Sequence, residues 1–293
     1  MKAPPFEYIR PAQLQDAIAA LAKHGPDAKA IAGGQSLVPM LAFRLTAPRF
    51  LVDIGRIPDL NRIIIADDAI RLGPLVRWRD IERSAPLQRA HPLLCEAVRH
   101  VAHYQIRNRG TVGGSLAHAD PAAELPGIAV TCDATIVLES PRGQRSIAAR
   151  EFFLAALSTA LAPDELIVEL SLPPWPPNRR WSFVEFARRS GDFALAGVAV
   201  FYDVGPNGQA INVRIGAIGI APTPLRLTAV EAVLEGRTVT QSVIRATGTA
   251  ACNSVDPADD IHAPGQYRRA LFGVLTERAV AKAGGITLRE DDA

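Results

Sequence analysis

Ala32-Gly33-Gly34-Gln35-Ser36-Leu37 and Thr111-Val112-Gly113-Gly114-Ser115 carry the decisive signal in this chain. Each places two adjacent glycines beside an extended, apolar run and adds a hydroxyl one or two residues later. Glycine has no Cβ, so bare backbone can approach a diphosphate there, with N–H groups and the hydroxyls of Ser36 and Ser115 as donors to its oxygens. One such pair is explained by a tight turn; two with the same chemistry point to one ligand held from two sides. Neither standard nucleotide fingerprint is present. No two glycines stand two apart, which excludes GxGxxG, and there is no GxxxxGK run for a P-loop. A dinucleotide held here is held without a Rossmann turn.

Outward from the first pair, Ala28 to Ala32 reads as a buried strand running into Gly33, and Phe50 to Ile54 as a second strand. Before them, Leu14, Ala17, Ile18 and Leu21 recur at i, i+3, i+4 and i+7, an amphipathic helix that Gly25 stops. After them, Ile63 to Leu72 has a hairpin pattern turning at Asp67-Asp68, and the spacing predicts helices over Trp78 to Ser84 and Pro92 to Ala102. The basic stretch Tyr104-Gln105-Ile106-Arg107-Asn108-Arg109-Gly110 leads into the second pair. Asp120 as N-cap, with Pro121 at the first helical position, opens a further helix. A strand from Ala134 to Glu139 and a turn at Pro141-Arg142-Gly143 follow.

Pro173-Pro174-Trp175-Pro176-Pro177 is the clearest boundary, because four prolines in five residues continue neither a helix nor a central strand. Beyond it, Trp181 to Phe186, Ala194 to Asp203 and Ile211 to Ala217 read as three strands, the last two joined through Gly205-Pro206-Asn207-Gly208. Helices are expected over Leu227 to Leu234 and Tyr267 to Ala283. Strands followed by helices make the second part α+β.

The 293 residues allow two domains, and 32 basic against 30 acidic side chains give no electrostatic footprint for nucleic acid or an anionic membrane. No run approaches the length of a spanning helix, and Met1-Lys2-Ala3-Pro4-Pro5 opens no signal-peptide core, so a cytoplasmic location is expected. Cys95, Cys132 and Cys252 are too few for an ordinary iron-sulfur cluster. Redox work by this chain then needs an organic cofactor, a metal held otherwise, or a partner.

These motifs, in this order, resemble the FAD-binding medium subunit of the molybdenum hydroxylases, the group of carbon monoxide dehydrogenase and xanthine dehydrogenase. The resemblance runs from Phe6-Glu7-Tyr8 through both glycine motifs, Leu51-Val52-Asp53-Ile54 and Asp120-Pro121-Ala122-Ala123-Glu124-Leu125-Pro126. It reaches Gly191-Asp192-Phe193-Ala194 and Gly197-Val198-Ala199. It implies an α+β chain: a two-subdomain FAD-binding fold of the vanillyl-alcohol oxidase (PCMH) type over residues 1–175, divided near residue 55. A smaller domain, residues 178–290, is implied after it, with a three-stranded antiparallel sheet and helices. By the same resemblance, Ala32, Gly33, Gly34, Gln35, Ser36 and Leu37 wrap the FAD diphosphate, and Thr111, Gly113, Gly114 and Ser115 form the second phosphate loop. Asp120 and Glu124 belong to the cofactor's surroundings, Glu124 near ribityl or ribose hydroxyls. Ala102 and Ile106 lie against the cofactor, Leu166 near an adenine or flavin edge, and Asp192-Phe193 in a loop over the isoalloxazine. Gln35 departs from the histidine of carbon monoxide dehydrogenase subunits, which bears on substrate and not on FAD.

The implied activity is electron transfer: a large molybdopterin-binding subunit oxidises substrate, a small subunit relays electrons through 2Fe-2S clusters, and FAD here passes them to an external acceptor. A dimer of heterotrimers is the implied assembly. Two alternatives stand beside it, a self-sufficient flavin oxidase or reductase of the same wider fold and a non-catalytic assembly module. The first needs an acid or base facing the flavin, and no candidate is evident; intact glycine pairs argue against the second. His100 and His103 have the i, i+3 spacing of metal ligands but lack a third, and no metal is expected. Arg107, Arg109, Arg188 and Arg189 are either solvated surface or a contact for an acidic partner or a cofactor phosphate.

Overall fold

Parallel strands need a crossover between them, and the computed structural model, which describes residues 2–288, shows where these lie. Glu7–Ile9, Phe50–Asp53 and Ala28–Ile31 form a parallel sheet with Phe50–Asp53 in the centre. The helix Leu14–His24 makes the first crossover, buries Ala17, Ile18 and Leu21, and ends at Gly25 with a positive φ. The second crossover carries the first glycine pair at the carboxyl end of Ala28–Ile31, then the short helix Leu37–Ala42. Ends of parallel strands are where α/β sheets open a crevice for ligands.

The second layer is an antiparallel sheet in the order Ile63–Ile65, Ile70–Leu72, Leu166–Leu172, Thr135–Ser140, Gly143–Ala148. Along Thr135–Ser140 every second residue is buried, which turns Ile136 and Leu138 into the core. The helices Pro92–His100 and Glu124–Thr131 contribute Leu93, Leu94, Ala97, Val98, Leu125 and Ile128 to the same cluster. The proline run joins Leu166–Leu172 to Arg180–Phe186. Trp175 within it rests on the His91 ring at 4.4 Å between centroids, and the Arg179 guanidinium lies over the indole, 4.9 Å from its centroid.

The expected three strands form an antiparallel sheet of Arg180–Phe186, Ala196–Val204 and Ala210–Ile218, extended by a two-residue edge strand, Leu225–Arg226. Both faces of this sheet are covered. Ala199 and Phe201, with Phe183 and Ile218, join the cluster of the preceding layer. Val198, Val200 and Tyr202, alternating with them, face the helices Thr228–Leu234, Gln241–Asn253 and Gly265–Gly284.

Among the elements that differ from the sequence expectation, three have a plain local reason. The helix placed at Pro121 begins at Glu124; Asp120 does not cap it but turns the preceding loop by accepting a hydrogen bond from the Ala122 N–H at 2.9 Å. Ala85–Ala90 is helical because Pro86 falls in its first turn, where a missing N–H costs nothing. Gln241–Asn253 carries Gly248, which reads against a helix. Its packing explains the residue: a Cβ on Gly248 would stand 2.3 Å from Cγ of Glu277 on the facing helix.

Candidate cofactor site

The two glycine motifs meet. Gly33 packs directly on the backbone of Arg109 and Gly110, the residues that precede Thr111, and Arg77 bridges to Thr111 in antiparallel fashion. Together they frame a cleft of about 490 Å³ lined by Ala32, Gly33, Ile57, Asn61, Leu75 and Thr111, with Arg56, Arg77, Arg79 and Arg109 around it. Four guanidinium groups against the one carboxylate of Asp80 make this cleft cationic.

The two motifs offer different donors. Gly34 turns the first through φ +73°, and among the described residues no hydrogen bond is made by the backbone N–H groups of Gly33, Gly34, Gln35, Ser36 or Leu37. Successive unpaired N–H groups around a positive-φ residue form an anion-binding concavity. Gln35 folds back, its Nε2 donating to the Gly33 carbonyl at 3.0 Å, and leaves that concavity open. The second motif is not an extended loop. Val112–His118 is a helix with Thr111 as its N-cap, whose Oγ1 accepts from Gly114 N–H at 3.2 Å. Gly113 N–H donates to the Pro74 carbonyl and Ser115 N–H to the Thr111 carbonyl. The N–H groups of Val112, Gly113, Gly114 and Ser115 are therefore already bonded, and what the motif presents is chiefly hydroxyl: Thr111 Oγ1 can still donate, and Ser115 Oγ has no partner among the described residues. Gly113 is required for another reason, since a Cβ there would lie 2.5 Å from Pro74 Cβ.

A second cavity, of about 470 Å³, opens where the turn after Pro92–His100 meets the loop after Arg180–Phe186. Ala102, His100, His103 and Arg107 line one side, and Glu185, Arg189 and Gly191 the other. Ala102 holds φ +42°, unusual for a residue with a Cβ. Arg107 fixes that turn: its Nη1 donates to the carbonyls of Val101 and Ala102 at 3.0 and 2.9 Å, and its Nε lies 3.0 Å from Glu82. Gly191 seats on the imidazole of His103, where a Cβ would stand 2.3 Å from the ring. Arg107 and Arg189, which the sequence left as two separate basic patches, thus face one cavity.

The expected site residues divide accordingly. Ala32, Gly33 and Thr111 line the first cleft, with Gly34, Ser36, Leu37, Gly114 and Ser115 continuing the same two segments. Ala102 lines the second cavity, Ile106 lies in the short helix beside it, and Asp192-Phe193 follow Gly191, with Phe193 exposed. Glu124 is buried at the start of its helix, where burial and the neighbouring Glu185 push its carboxyl up to about 8. Leu166 lines neither cavity and packs with Ile57, Leu60 and Leu75 in a small core. His100 and His103 do not form a metal site: His100 Nδ1 lies 3.6 Å from Glu185, and no cluster suited to a metal occurs among the described residues. Glu185 was not foreseen, since no motif surrounds it.

Residues 4–175 match the FAD binding domain in molybdopterin dehydrogenase. The chain belongs to that FAD-binding family. Residues 181–283 match the CO dehydrogenase flavoprotein C-terminal domain. Over 283 residues, the family member is 40% identical to the 6-hydroxypseudooxynicotine dehydrogenase complex subunit alpha of Paenarthrobacter nicotinovorans, covering 97% of this chain and 96% of that one. It is 36% identical to the carbon monoxide dehydrogenase medium chain of Hydrogenophaga pseudoflava, covering 96% and 97%. A solved structure of quinoline 2-oxidoreductase from Pseudomonas putida 86 superposes with a TM-score of 0.93 at 35% identity, covering 97% and 99%. The chain is accordingly an FAD-binding oxidoreductase subunit of the molybdenum hydroxylase type, and its relatives are medium subunits of multi-subunit enzymes. The cradle fits that cofactor: free backbone donors on one side, hydroxyls on the other and a cationic cleft between suit a diphosphate. No helix among the described residues is long and apolar enough to cross a membrane.

Proposed function

We propose that this chain holds FAD between its two glycine motifs and carries electrons from partner 2Fe-2S clusters to an external acceptor. FAD supplies the redox chemistry when bound; the chain's residues bind it, orient it and set its electrostatic surroundings. The free N–H groups of Gly33 to Leu37 take one side of the diphosphate, and the hydroxyls of Ser36, Thr111 and Ser115 take the rest. Arg56, Arg77 and Arg109 add long-range attraction for its charge. Ala102, Ile106 and the Asp192-Phe193 loop seat the flavin end at the second cavity, and Arg107 holds the Ala102 turn in shape. Leu166 supports the adenine or flavin edge from the small core it shares with Ile57, Leu60 and Leu75. The substrate is oxidised on a large molybdopterin-binding subunit, a small subunit holds the clusters, and the assembly is a dimer of heterotrimers in the cytoplasm. Residues 1–175 form the cofactor domain and 178–290 the smaller domain, with residues 1, 289 and 290 lying outside the described residues.

The observation that carries this reading is the meeting of the two glycine motifs around a cationic cleft in a chain of this family. The purified chain should be yellow, with the paired visible bands of an oxidised flavin, and inert toward reducing substrates until its partners are added. Loss of both bands under saturating FAD would overturn the cofactor seat; turnover of substrate by the isolated chain would favour a self-sufficient flavin enzyme instead.

A further inference from the structure

The helix Leu37–Ala42 buries only Leu41 fully. Around it, Val38, Phe43 and Leu45 are 50%, 65% and 73% exposed, large apolar side chains left in water on one short segment. Val38 stands one helical turn from Ala42, and Pro39 one turn from Phe43, so their side chains are neighbours. Backbone hydrogen bonds fix the end of the segment: Phe43 N–H donates to the Pro39 carbonyl at 2.9 Å, Arg44 N–H to Leu41 at 3.1 Å and Leu45 N–H to Met40 at 2.9 Å. Arg44 holds φ +58° there, a conformation that residues with a Cβ rarely adopt. A held turn thus presents an exposed aromatic ring, a guanidinium with no partner among the described residues and an exposed leucine side by side. Aromatic rings and arginine among apolar neighbours are the composition of an interface anchor. The segment is also of one sign. From Ala28 to Val52 the chain has Lys29, Arg44 and Arg49 and no acidic residue, and Arg49 is met by Asp27 at 3.8 Å, which leaves Arg44 as the free charge of the patch. Two copies of this patch joined about a two-fold axis would set cation against cation. The complementary surface is apolar with carboxylates at its rim.

We propose that the turn Phe43-Arg44-Leu45, together with Val38, is the docking site of the small 2Fe-2S subunit, which meets it with an apolar surface rimmed by carboxylates. This deepens the function proposed above and rests on that reading, since the occupant is the electron donor named there. A subunit that hands electrons to a cofactor docks within reach of it, and the patch continues, at Val38, the segment Gly33 to Leu37 whose N–H groups take the diphosphate. A cluster held by thiolates adds negative charge to that partner, the sign that Arg44 selects. Phe43 and Leu45 supply the contact that excludes water, and Arg44 steers the approach and fixes the register.

The test titrates the full chain with the 2Fe-2S subunit of its own complex, purified with its clusters, by calorimetry and stopped-flow mixing at low and high salt. Phe43→Ser and Leu45→Ser should each weaken binding at least tenfold through faster dissociation. Arg44→Glu should weaken it at least tenfold through slower association and lose the wild-type salt dependence, whereas Arg44→Lys, which keeps the charge, should associate at the wild-type rate. Ile261→Ser is the control: Ile261 is 93% exposed but stands alone beside Asp259 and Asp260, and its loss should leave the affinity unchanged. These side chains lie at the surface, so melting temperature and FAD affinity of every variant should equal wild type. Wild-type affinity for the 2Fe-2S subunit in Phe43→Ser and Arg44→Glu overturns the inference, as does a loss that falls instead on the large subunit or on self-association read by sedimentation. A wild-type chain that takes up no FAD overturns the function proposed above and this inference with it; FAD bound normally, with no effect of the patch on the 2Fe-2S subunit, overturns this inference only.

Discussion

Gly33 lies against the carbonyl of Arg109: a Cβ built on Gly33 would stand 2.2 Å from that oxygen and 2.9 Å from its carbon. No side chain intervenes between the crossover of the parallel sheet and the segment that enters the helix Val112–His118. The cleft width is thereby set by backbone on backbone, which cannot yield by changing a rotamer.

Gly33→Ala should therefore shift one segment and widen the cleft. We expect a loss of about 1–3 kcal/mol in stability and at least a tenfold fall in FAD affinity. Gly25→Ala is the control: nothing lies within 4 Å of its added Cβ, so only the backbone conformation, φ +53° with ψ −132°, is penalised, at about 1–3 kcal/mol. Its FAD affinity should equal wild type. Urea denaturation and FAD titration read both, and unchanged FAD affinity in Gly33→Ala would sink the account.

Ser36→Ala and Ser115→Ala should each weaken FAD binding roughly tenfold, the value of one hydrogen bond to a charged group. Neither hydroxyl has a partner among the described residues, so stability without FAD should change by less than about 0.5 kcal/mol. Thr111→Ala removes a helix cap as well and should cost about 1 kcal/mol in the absence of FAD. Calorimetric titration alongside thermal melts separates the two effects.

Arg107→Met should destabilise the chain by about 1–3 kcal/mol, because it strands the carbonyls of Val101 and Ala102 and leaves Glu82 unpaired. Hydrogen exchange should rise first in residues 101–103. Uniform exchange across the chain would contradict a local clamp.

Stability should fall on both sides of neutrality through two buried groups of opposite kind. Glu124 is held up at about 8 by burial and Glu185, so the native state keeps a proton that the unfolded chain releases above about 4.5. Stability is then lost as pH rises from there toward 8, and Glu124→Gln should recover on the order of 4 kcal/mol at pH 8 and little at low pH. His91 is pushed down to about 3 by burial, with Arg179 adding to it, while its Nδ1 accepts from Leu94 N–H. The unfolded chain gains a proton there below about 6.5 that the native state refuses, so stability falls on acidification. Denaturant midpoints across pH check both signs.

The glycine motifs were legible because glycine pairs with nearby hydroxyls have few structural explanations when doubled. The proline run and the strands after it were legible from backbone chemistry alone. The form of the second motif was not. Two glycines disfavour a helix by local propensity, and only the contact of Gly113 with Pro74 shows why the helix Val112–His118 keeps one there. The pairing of Glu185 with His100 joins residues from separate elements, and nothing in the sequence around either one announces the other. Leu166 stood in a matching position, yet its side chain serves the core between the parallel sheet and the cleft floor.

The sheet built on Ala196–Val204 also bears on the order in which this chain can mature. The ribosome releases the N-terminal layers first, yet the cluster around Leu93, Ile128 and Leu138 is completed by Phe183, Ala199, Phe201 and Ile218. Until that last hairpin is made, the nascent cofactor region keeps an unfinished apolar wall, the kind of surface that recruits chaperones or neighbouring chains. The core beneath the FAD-binding region is therefore closed only once the chain past Ile218 has emerged.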